Sequence, residues 1–333
     1  MENVIIEQSP PRNVENYQLL SGEPLVVGGK TTLGKNFQIG QGWFKIDFRF
    51  NLIVTIGTGT TPITEGELQF IKSITLKSDK SEYFISAVPA RALFKAAIVR
   101  SRCVPQKDAI AAASATYSVN FPVYFTDDRA QRENDTIIDT GRYQNMTLEV
   151  VLGTVADLFT VVGTSSLTAT LDLNVKRTKE VLPDKGGPIW YTQYQDMPPA
   201  IASTQTFVDL ERSADLAIKR LYVHSAALAT AGAEWSGTND DTIQNVVQLK
   251  DGTSNIVQDR IHGQILADNK AFYSLENQIA GVEVHDFFSD TGSYRDTIFT
   301  NDKSRLQYTW TNQAGVIATD QVTVLVEGIR DLR

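Results

Sequence analysis

The sequence predicts an all-β protein built from two similar β-rich units, and three observations support this fold class. First, residue types at 123–127, 135–138 and 142–144 return in the same order at 286–290, 296–299 and 305–307. Second, apolar residues occupy every second position over 44–56 and over 167–175, as in strands with one buried face. Third, residues 41–178 contain about eight strand-like segments and one short helical segment. A chain that repeats a β-rich unit of this size is expected to form two similar domains.

Composition and charge limit the function classes. The 333 residues are enough for two ordinary domains, and the hydrophobic (42%) and charged (21%) fractions are those of a folded protein. A net charge of −8 argues against a coat that neutralises nucleic-acid phosphates directly. The single cysteine, Cys103, excludes an intramolecular disulfide framework. Because no signal peptide or membrane-spanning run is recognisable, we expect a protein that is made soluble in a cytoplasm.

Residues 1–40 are expected to form an N-terminal arm. A pair of prolines at 10–11 opposes an early helix, and four glycines between 28 and 40 interrupt the chain that follows. An arm of this kind wraps a neighbour or stays mobile.

The first unit is assigned to 41–178 and begins with the long alternating strand over 44–56. Further strands are predicted at 68–77, 82–87, 117–126, 136–138, 146–152 and 167–175. Pro89 stands where a first-turn proline belongs, so a short helix is predicted over 90–99.

Residues 179–200 are expected to form a linker without regular elements, because prolines and paired glycines interrupt them. The second unit is assigned to 201–333. In it, residues 218–223 match 71–76, residues 271–273 match the helix at 92–94, and residues 322–326 match 171–175. On this alignment, residues 226–245 have no counterpart in the first unit. We therefore predict a surface insertion there, where specific contacts are usually made.

No residue pattern predicts a phosphate-binding loop. The sequence Gly29-Lys30-Thr31 resembles the end of such a loop, but Pro24 stands where the motif requires a further glycine. A flexible glycine-rich arm is the favoured interpretation.

No catalytic, cofactor or metal site is predicted either. His224, His262 and His285 lack metal-ligand spacing, so structural roles are favoured. Cys103 precedes every histidine and lacks a recognisable base, which favours an unreactive thiol. The acidic stretches at 127–128, 133–135, 240–241 and 286–296 lack calcium-loop spacing. Solvated turns are favoured for them over a cation bound at a subunit contact.

One segment is mildly basic, and its members are Arg91, Lys95, Arg100, Arg102 and Lys107. Contact with lipid headgroups or nucleic acid is one interpretation. The solvated side of the predicted helix is the favoured one.

In strand order, the chain resembles the double jelly-roll major capsid proteins. These proteins coat icosahedral, often lipid-containing, viruses of bacteria and archaea, and larger relatives coat adenovirus. The likeness is carried by the long strand at 43–56, the hairpin-like 68–87 and the helix that begins Pro89-Ala90-Arg91-Ala92-Leu93-Phe94. It covers about 40–333 and implies two consecutive eight-stranded jelly rolls with short helices in their loops.

The resemblance also implies a structural role without enzymatic activity. Three copies are expected to form a homotrimer of pseudo-hexagonal outline, and neighbouring trimers to form the virion shell. Other expected partners are minor capsid or vertex proteins and the lipids of an inner membrane, whereas sequence-specific nucleic acid and cofactors are not expected. Synthesis would take place in the host cytoplasm. The arm at 1–40 would lie at the inner face or lock subunits together, and the insertion at 226–245 would project outward or reach a neighbouring trimer.

Two other function classes stay open. A viral spike or lectin-like β-sandwich that binds carbohydrate or a receptor requires a compact aromatic platform, whereas the aromatic residues here are spread along the chain. A β-sandwich enzyme requires clustered histidines for a cupin-like metal centre or two facing carboxylates for glycoside hydrolysis. The histidines are not clustered in sequence, which opposes a cupin-like centre. Which carboxylates face each other is not visible in the sequence, so a glycosidase stays open.

Overall fold

The described part of the chain is dominated by β-strands. A computed structural model describes residues 14–34, 37, 39–57, 60–126, 137–163, 165–179, 189–196, 205–212, 216–227, 238–239, 244–252, 255–273, 281–287, 297–301, 303–313 and 320–330.

The first half contains eleven of the described strands. They are β1 (Val14–Leu25), β2 (Lys30–Leu33), β3 (Gly42–Thr55), β4 (Thr61–Pro62), β5 (Ile71–Ser78), β6 (Tyr83–Val88), β7 (Ala115–Tyr124), β8 (Ile138–Asp139), β9 (Met146–Leu152), β10 (Phe159–Val161) and β11 (Ser166–Thr178). Its described helices are α1 (Gly66–Phe70), α2 (Ala90–Ser101) and two 3₁₀ turns, Thr140–Arg142 and Val155–Asp157.

The second half contains ten described strands and one described helix. They are β12 (Ile189–Asp196), β13 (Gln205–Asp209), β14 (Leu216–Ala227), β15 (Thr238–Asn239), β16 (Gln244–Asp251), β17 (Asn255–Ile261), α3 (His262–Tyr273), β18 (Val282–Asp286), β19 (Ile298–Phe299), β20 (Leu306–Asn312) and β21 (Gln321–Arg330).

Each half forms a jelly roll of two four-stranded sheets. In the first roll, β1–β11–β3–β7 form one sheet and β2–β9–β5–β6 form the other, while β8 adds to β3. In the second roll, the corresponding sets are β12–β21–β14–β18, with β19 beside β14, and β13–β20–β16–β17. The four-stranded sheets of the two rolls have the same strand order; the short pair β4–β10 of the first roll and β15 of the second lie outside this correspondence. The predicted fold class, two consecutive eight-stranded jelly rolls, is confirmed.

The long strand β3 shows why alternation in the sequence led to this fold. Its even-numbered apolar residues from Ile46 to Val54 are buried in the first core, whereas Ile53 is exposed on the opposite face. The strand pairs with β11 on one side and β7 on the other along most of its length. Phe121 of β7 stacks on Phe48 and Phe50 in this core. The short helix predicted after Pro89 is confirmed as α2.

Three strands lie where no regular element was predicted. β1 and β2, within the predicted arm at 1–40, pair with β11 and β9 of the first roll. β12 lies in the predicted linker at 179–200 and pairs with β21. The expectation of an arm is therefore wrong for 14–33, and the expectation of an irregular linker is wrong for Ile189–Asp196. β1 and β12 are counterparts, so each roll begins with the same kind of strand.

The alignment that predicted the insertion at 226–245 also needs correction. Strand order makes β3, not β5, the counterpart of β14, and β5 the counterpart of β16. Residues 56–70 separate β3 from β5, and residues 228–243 separate β14 from β16. These two connections have almost the same length, so the second roll contains no large insertion there. Most of 226–245 lies outside the described residues, apart from Ala226, Ala227, β15 and the start of β16.

The second roll's sheet of β21, β14 and β18 is buried on both faces. Val322, Val324 and Val326 face the core of the second roll. On the opposite face, Leu325 and Tyr222 belong to the core of the first roll. Burial on both faces explains the nearly continuous apolar sequence of β21. The two rolls thus share a packed junction.

Candidate functional site: the junction between the two rolls

Backbone pairing joins the rolls into one block. β12 pairs with β21 in antiparallel fashion along its whole length. On its other side, Thr192 and Gln193 pair in parallel with Ile85 and Ser86 of β6. The sheets of the two rolls therefore form a single ten-stranded sheet. The rolls cannot be separated without breaking these hydrogen bonds.

A buried ionic network crosses the same junction. Arg100, near the end of α2 in the first roll, donates to Oε1 of Glu327 on β21 at 3.0 Å. Arg220 of β14 donates to the same oxygen at 3.0 Å, and the Tyr222 hydroxyl donates to Oε2 at 2.7 Å. The second amino group of Arg100 donates to the carbonyl oxygen of Thr126. A single carboxylate thus links a helix of one roll to a sheet of the other.

Burial determines the electrostatics of this network. Burial raises the pKa of the Tyr222 phenol well above its usual value, and the nearby Glu327 carboxylate raises it further. The phenol therefore stays protonated and acts as a hydrogen-bond donor. With two guanidinium groups around it, Glu327 has the charged partners that a buried carboxylate requires.

Arg220 extends the network to the second roll's edge. Its Nε donates to Oδ2 of Asp286 on β18 at 2.6 Å, and the Tyr273 hydroxyl of α3 donates to the same oxygen at 2.5 Å. The buried ammonium group of Lys219 lies 3.9 Å from Glu327. The chain of contacts therefore runs from α2 through β21 and β14 to α3.

A small cavity of about 30 Å³ lies beside Arg100. Its lining comes from both rolls, with Leu93 and Ala97 of α2 facing Leu325 and Glu327 of β21. A cavity of this size has room for water rather than for a substrate.

The structure brings together two of the three histidines that the sequence singled out. His262 Nδ1 lies 2.6 Å from Oε2 of Glu283, and His285 Nε2 lies 2.9 Å from Oε1. The Tyr308 hydroxyl also donates to Glu283, and its oxygen lies 2.9 Å from Oε1 of Gln244. Although burial raises the pKa of Glu283, the two histidines outweigh it and lower the pKa to about 2.

This cluster is buried within the second roll, so it has no access for a substrate. The third histidine, His224, lies on β14 and is also buried. Among the residues that the structure describes, no group of three or more histidine, cysteine, aspartate or glutamate side chains is arranged to hold a metal ion. Within the described ranges, no helix is both long and apolar enough to cross a membrane.

The other residues that the sequence singled out lie in a strand, after a helix or outside the described residues. Lys30 lies on β2 and pairs with Glu149 of β9 at 2.8 Å, in a strand rather than a phosphate-binding loop. Cys103 is a free, exposed thiol just after α2. Of the acidic stretches, 127–128, 133–135, 240–241 and 288–296 lie outside the described residues.

The structure corrects the expectation for the basic segment. It was expected to be the solvated side of a helix, but Arg91 and Lys95 are buried. Lys95 pairs with Glu65 at 3.2 Å, Lys107 pairs with Glu67, and Arg100 pairs with Glu327, as described above. Arg102 is the exposed member. The positive charges of this segment mainly hold the protein together, which leaves few of them for an external surface.

Sequence reasoning missed Glu327 and its partners. A signal was present, because Glu327 is one acidic residue within an apolar strand sequence, Val-Thr-Val-Leu-Val-Glu-Gly-Ile. A charged residue in such a strand needs a buried partner. The identity of that partner, 227 positions earlier in the chain, requires the fold.

Solved structures show the same fold. The chain matches the major capsid protein of Sulfolobus turreted icosahedral virus with a TM-score of 0.71 and 12% identity, over 96% of this chain and 97% of that chain. The major capsid protein of bacteriophage PM2 matches with a TM-score of 0.59 and 14% identity, over 95% and 97%. The Faustovirus major capsid protein matches with a TM-score of 0.61 and 8% identity, over 99% and 92%.

No protein-family model matches the chain, and no curated protein matches its sequence. At such low identities the structural matches show a shared fold, the double jelly roll, over nearly the full length of each chain. Function has to be argued from that fold together with the junction.

Proposed function

We propose that this protein is a major capsid protein, a structural component that forms the shell of an icosahedral virion. The observation that carries the proposal is the junction: two jelly rolls of equal strand order are fixed side by side by β12 and by the Arg100–Glu327 contact. Fixed side by side, two similar rolls form a rigid building block with two similar outward edges. The full-length matches to three viral major capsid proteins support the same role.

We further propose that three copies form a pseudo-hexagonal homotrimer and that trimers tile the shell. Six rolls of similar shape can fill a hexagonal tile, while covalent linkage in pairs lets the two rolls differ in sequence. The partners would be other copies of the chain and minor capsid or vertex proteins. Localisation would be the virion, after synthesis in the host cytoplasm.

A membrane beneath the shell is also part of the proposal, and charge supports it. The net charge is −8, and most cations of the basic segment are used in internal pairs. Such a chain is poorly suited to cover bare nucleic acid. An inner membrane would separate the shell from the genome.

The functional units would be the two rolls. We propose domains at 41–178 and 201–333, each completed by its first strand, with β1 and β2 joining the former and β12 joining the latter. Residues 1–13 remain candidates for an arm, and 228–243 for the site of contacts specific to this shell.

The test is the native mass in solution combined with electron microscopy of the purified protein. A stable trimer that forms pseudo-hexagonal arrays supports the shell function. A monomer whose melting temperature rises with added carbohydrate would instead support the alternative, a lectin-like or spike protein. Hydrolysis of glycosides by the purified protein would instead support the enzyme class.

A further inference from the structure

The junction within one chain joins two particular sheet edges. β6 ends the sheet β2–β9–β5–β6 of the first roll, and β12 ends the sheet β12–β21–β14 of the second. The equivalents of these strands in the opposite rolls are β17 and β1. Among the described elements, β17 and β1 each have a strand partner on one side only. The chain therefore carries a second, unjoined copy of the two edges that meet at the junction.

Strand register makes the equivalence residue-specific on the β1 side. Glu327 of β21 is opposite Thr192 of β12 and Arg220 of β14. Lys176 of β11 is its equivalent, because each of the two residues borders a register shift against its neighbouring strand, β14 or β3; Lys176 is opposite Asn16 of β1 and Lys45 of β3. Asn16 and its neighbour thus occupy the positions of Thr192 and Gln193, the residues that pair with β6.

The β17 side has the same equivalence. β6 leads into α2 through Pro89, and β17 leads directly into α3, a helix of the same twelve-residue length. When the last residues of the two strands are aligned, Ile85 and Ser86 correspond to Gln258 and Asp259.

We propose that β1 of one copy pairs in parallel with β17 of a second copy of this chain, with Asn16 and Tyr17 beside Gln258 and Asp259. This deepens the proposed shell function and rests on it. Each copy has one β1 and one β17, so the contact is head-to-tail. In the proposed trimer, this contact would alternate with the junction around a ring of six rolls from three copies. Strand addition at an edge supplies affinity through backbone hydrogen bonds.

Exposed apolar side chains lie at the proposed contact. Tyr17 on β1 is 37% exposed, Ile261 at the end of β17 is 51% exposed, and Phe272 on α3 is 39% exposed. Edge strands of a monomer are normally protected against pairing, and the proposed contact would cover these side chains; the Tyr17 ring is already stacked against the guanidinium of Arg177 on its own roll.

At the proposed contact, the signs of the two charges are exchanged relative to the junction: the helix carries the anion and the opposing roll carries the cation. Within one chain, the cation Arg100 of α2 meets the anion Glu327 of the second roll. At the proposed contact, the position of Glu327 is taken by Lys176. Because Pro89 has no counterpart between β17 and α3, the helices are aligned separately from their first residues, and Asp268 then replaces Ala96 one turn before the position of Arg100. Lys176 of one copy would thus approach the exposed Asp268 of the next, a carboxylate that already pairs with Arg260 of its own chain.

Disulfide trapping tests the proposed register. In a Cys103→Ser background, Asn16→Cys is combined with a cysteine at Gln258, Asp259 or Arg260. Neighbouring strands lie about 5 Å apart, which is within reach of a disulfide. At least one pair should give dimers and trimers on a non-reducing denaturing gel that revert to monomers with reductant. The matched control combines Asn16→Cys with Phe207→Cys, on the opposite edge strand of the sheet that contains β17.

A charge exchange gives an independent measurement. Lys176→Glu should shift the native mass from trimer toward monomer, and adding Asp268→Lys should restore the trimer. A trimeric protein that shows no cross-link at any of the three positions and no effect of Lys176→Glu would overturn this contact while leaving the shell function intact. A protein that stays monomeric and forms no arrays would overturn both.

Discussion

Arg100 of α2 and Glu327 of β21 lie in different rolls, yet their side chains meet at 3.0 Å and each is only 9% exposed. This contact, with the backbone pairing of β12, makes one rigid block from two rolls. A buried ion pair is weak evidence of added stability, because both charges lose their hydration. The pair matters most when one member is removed, because the other member is then buried and charged without its partner.

Glu327→Gln should therefore lower the free energy of unfolding by about 3–5 kcal/mol, since Arg100 and Arg220 would both lose their carboxylate. Chemical denaturation followed by tryptophan fluorescence measures the change. The matched control is Arg305→Met, which breaks an ion pair with Asp209 whose side chains are about half exposed; the expected loss there is at most about 1 kcal/mol. Equal losses for both variants would show that the junction network has no special role.

Stability should depend on acid through Glu283. Its pKa is lowered to about 2 in the folded protein, against about 4.3 in an unfolded chain. The stabilisation is therefore complete above about pH 4.3 and is lost as the pH falls toward about 2. Between these pH values, the free energy of unfolding, measured by chemical denaturation, should fall more steeply with decreasing pH for the wild type than for Glu283→Gln. Parallel curves would show that the histidine contacts do not favour the charged carboxylate.

Gly34 follows β2 with a φ of +123°, and an added Cβ would lie 2.4 Å from the carbonyl oxygen of Met146. Gly34→Ala should lower the free energy of unfolding by at least about 2 kcal/mol through backbone strain and overlap. Gly263→Ala is the matched control, because an added Cβ meets nothing within 4 Å in α3. That change should raise stability by up to about 1 kcal/mol through helix propensity. Thermal melts of both variants distinguish the two effects, and a neutral Gly34→Ala would contradict the strain.

Phe121 should be critical to the first core. Its ring stacks on Phe48 and Phe50 and meets Phe94 of α2 edge-on. Phe121→Ala should cost about 3–5 kcal/mol because a cavity remains between sheet and helix. Phe207→Ala, at a side chain that is half exposed, should cost less than about 1 kcal/mol. Urea denaturation compares the two, and a similar loss for both would mean that the aromatic cluster can repack around the cavity.

The sequence was informative where one face of a strand is buried and the other is wet. β3 was predicted because its apolar and polar residues alternate between the buried face and the solvated face. β1 was missed because it is an edge strand with irregular register and many exposed polar residues. β14 was matched to the wrong strand because burial on both faces removes the alternation that would identify it.

The candidate site was not predictable in the same way. His262, Glu283 and His285 were visible as residues, but β17, α3 and β18 had to fold before they met. Arg100 was assigned to a solvated helix face, since nothing local in its sequence shows that a second roll covers it. Pairing between distant segments is information that periodicity does not contain.

The order of strands along the chain also affects synthesis. All strands of the first roll lie within 14–178, so that roll can fold while the remainder is still being translated. β12 follows, but its antiparallel partner β21 is the final described strand. A chain that terminates prematurely would contain a finished first roll with no β21 for β12 to join and no Glu327 for Arg100. The contacts that join the two rolls therefore form only in a chain that has been translated through β21.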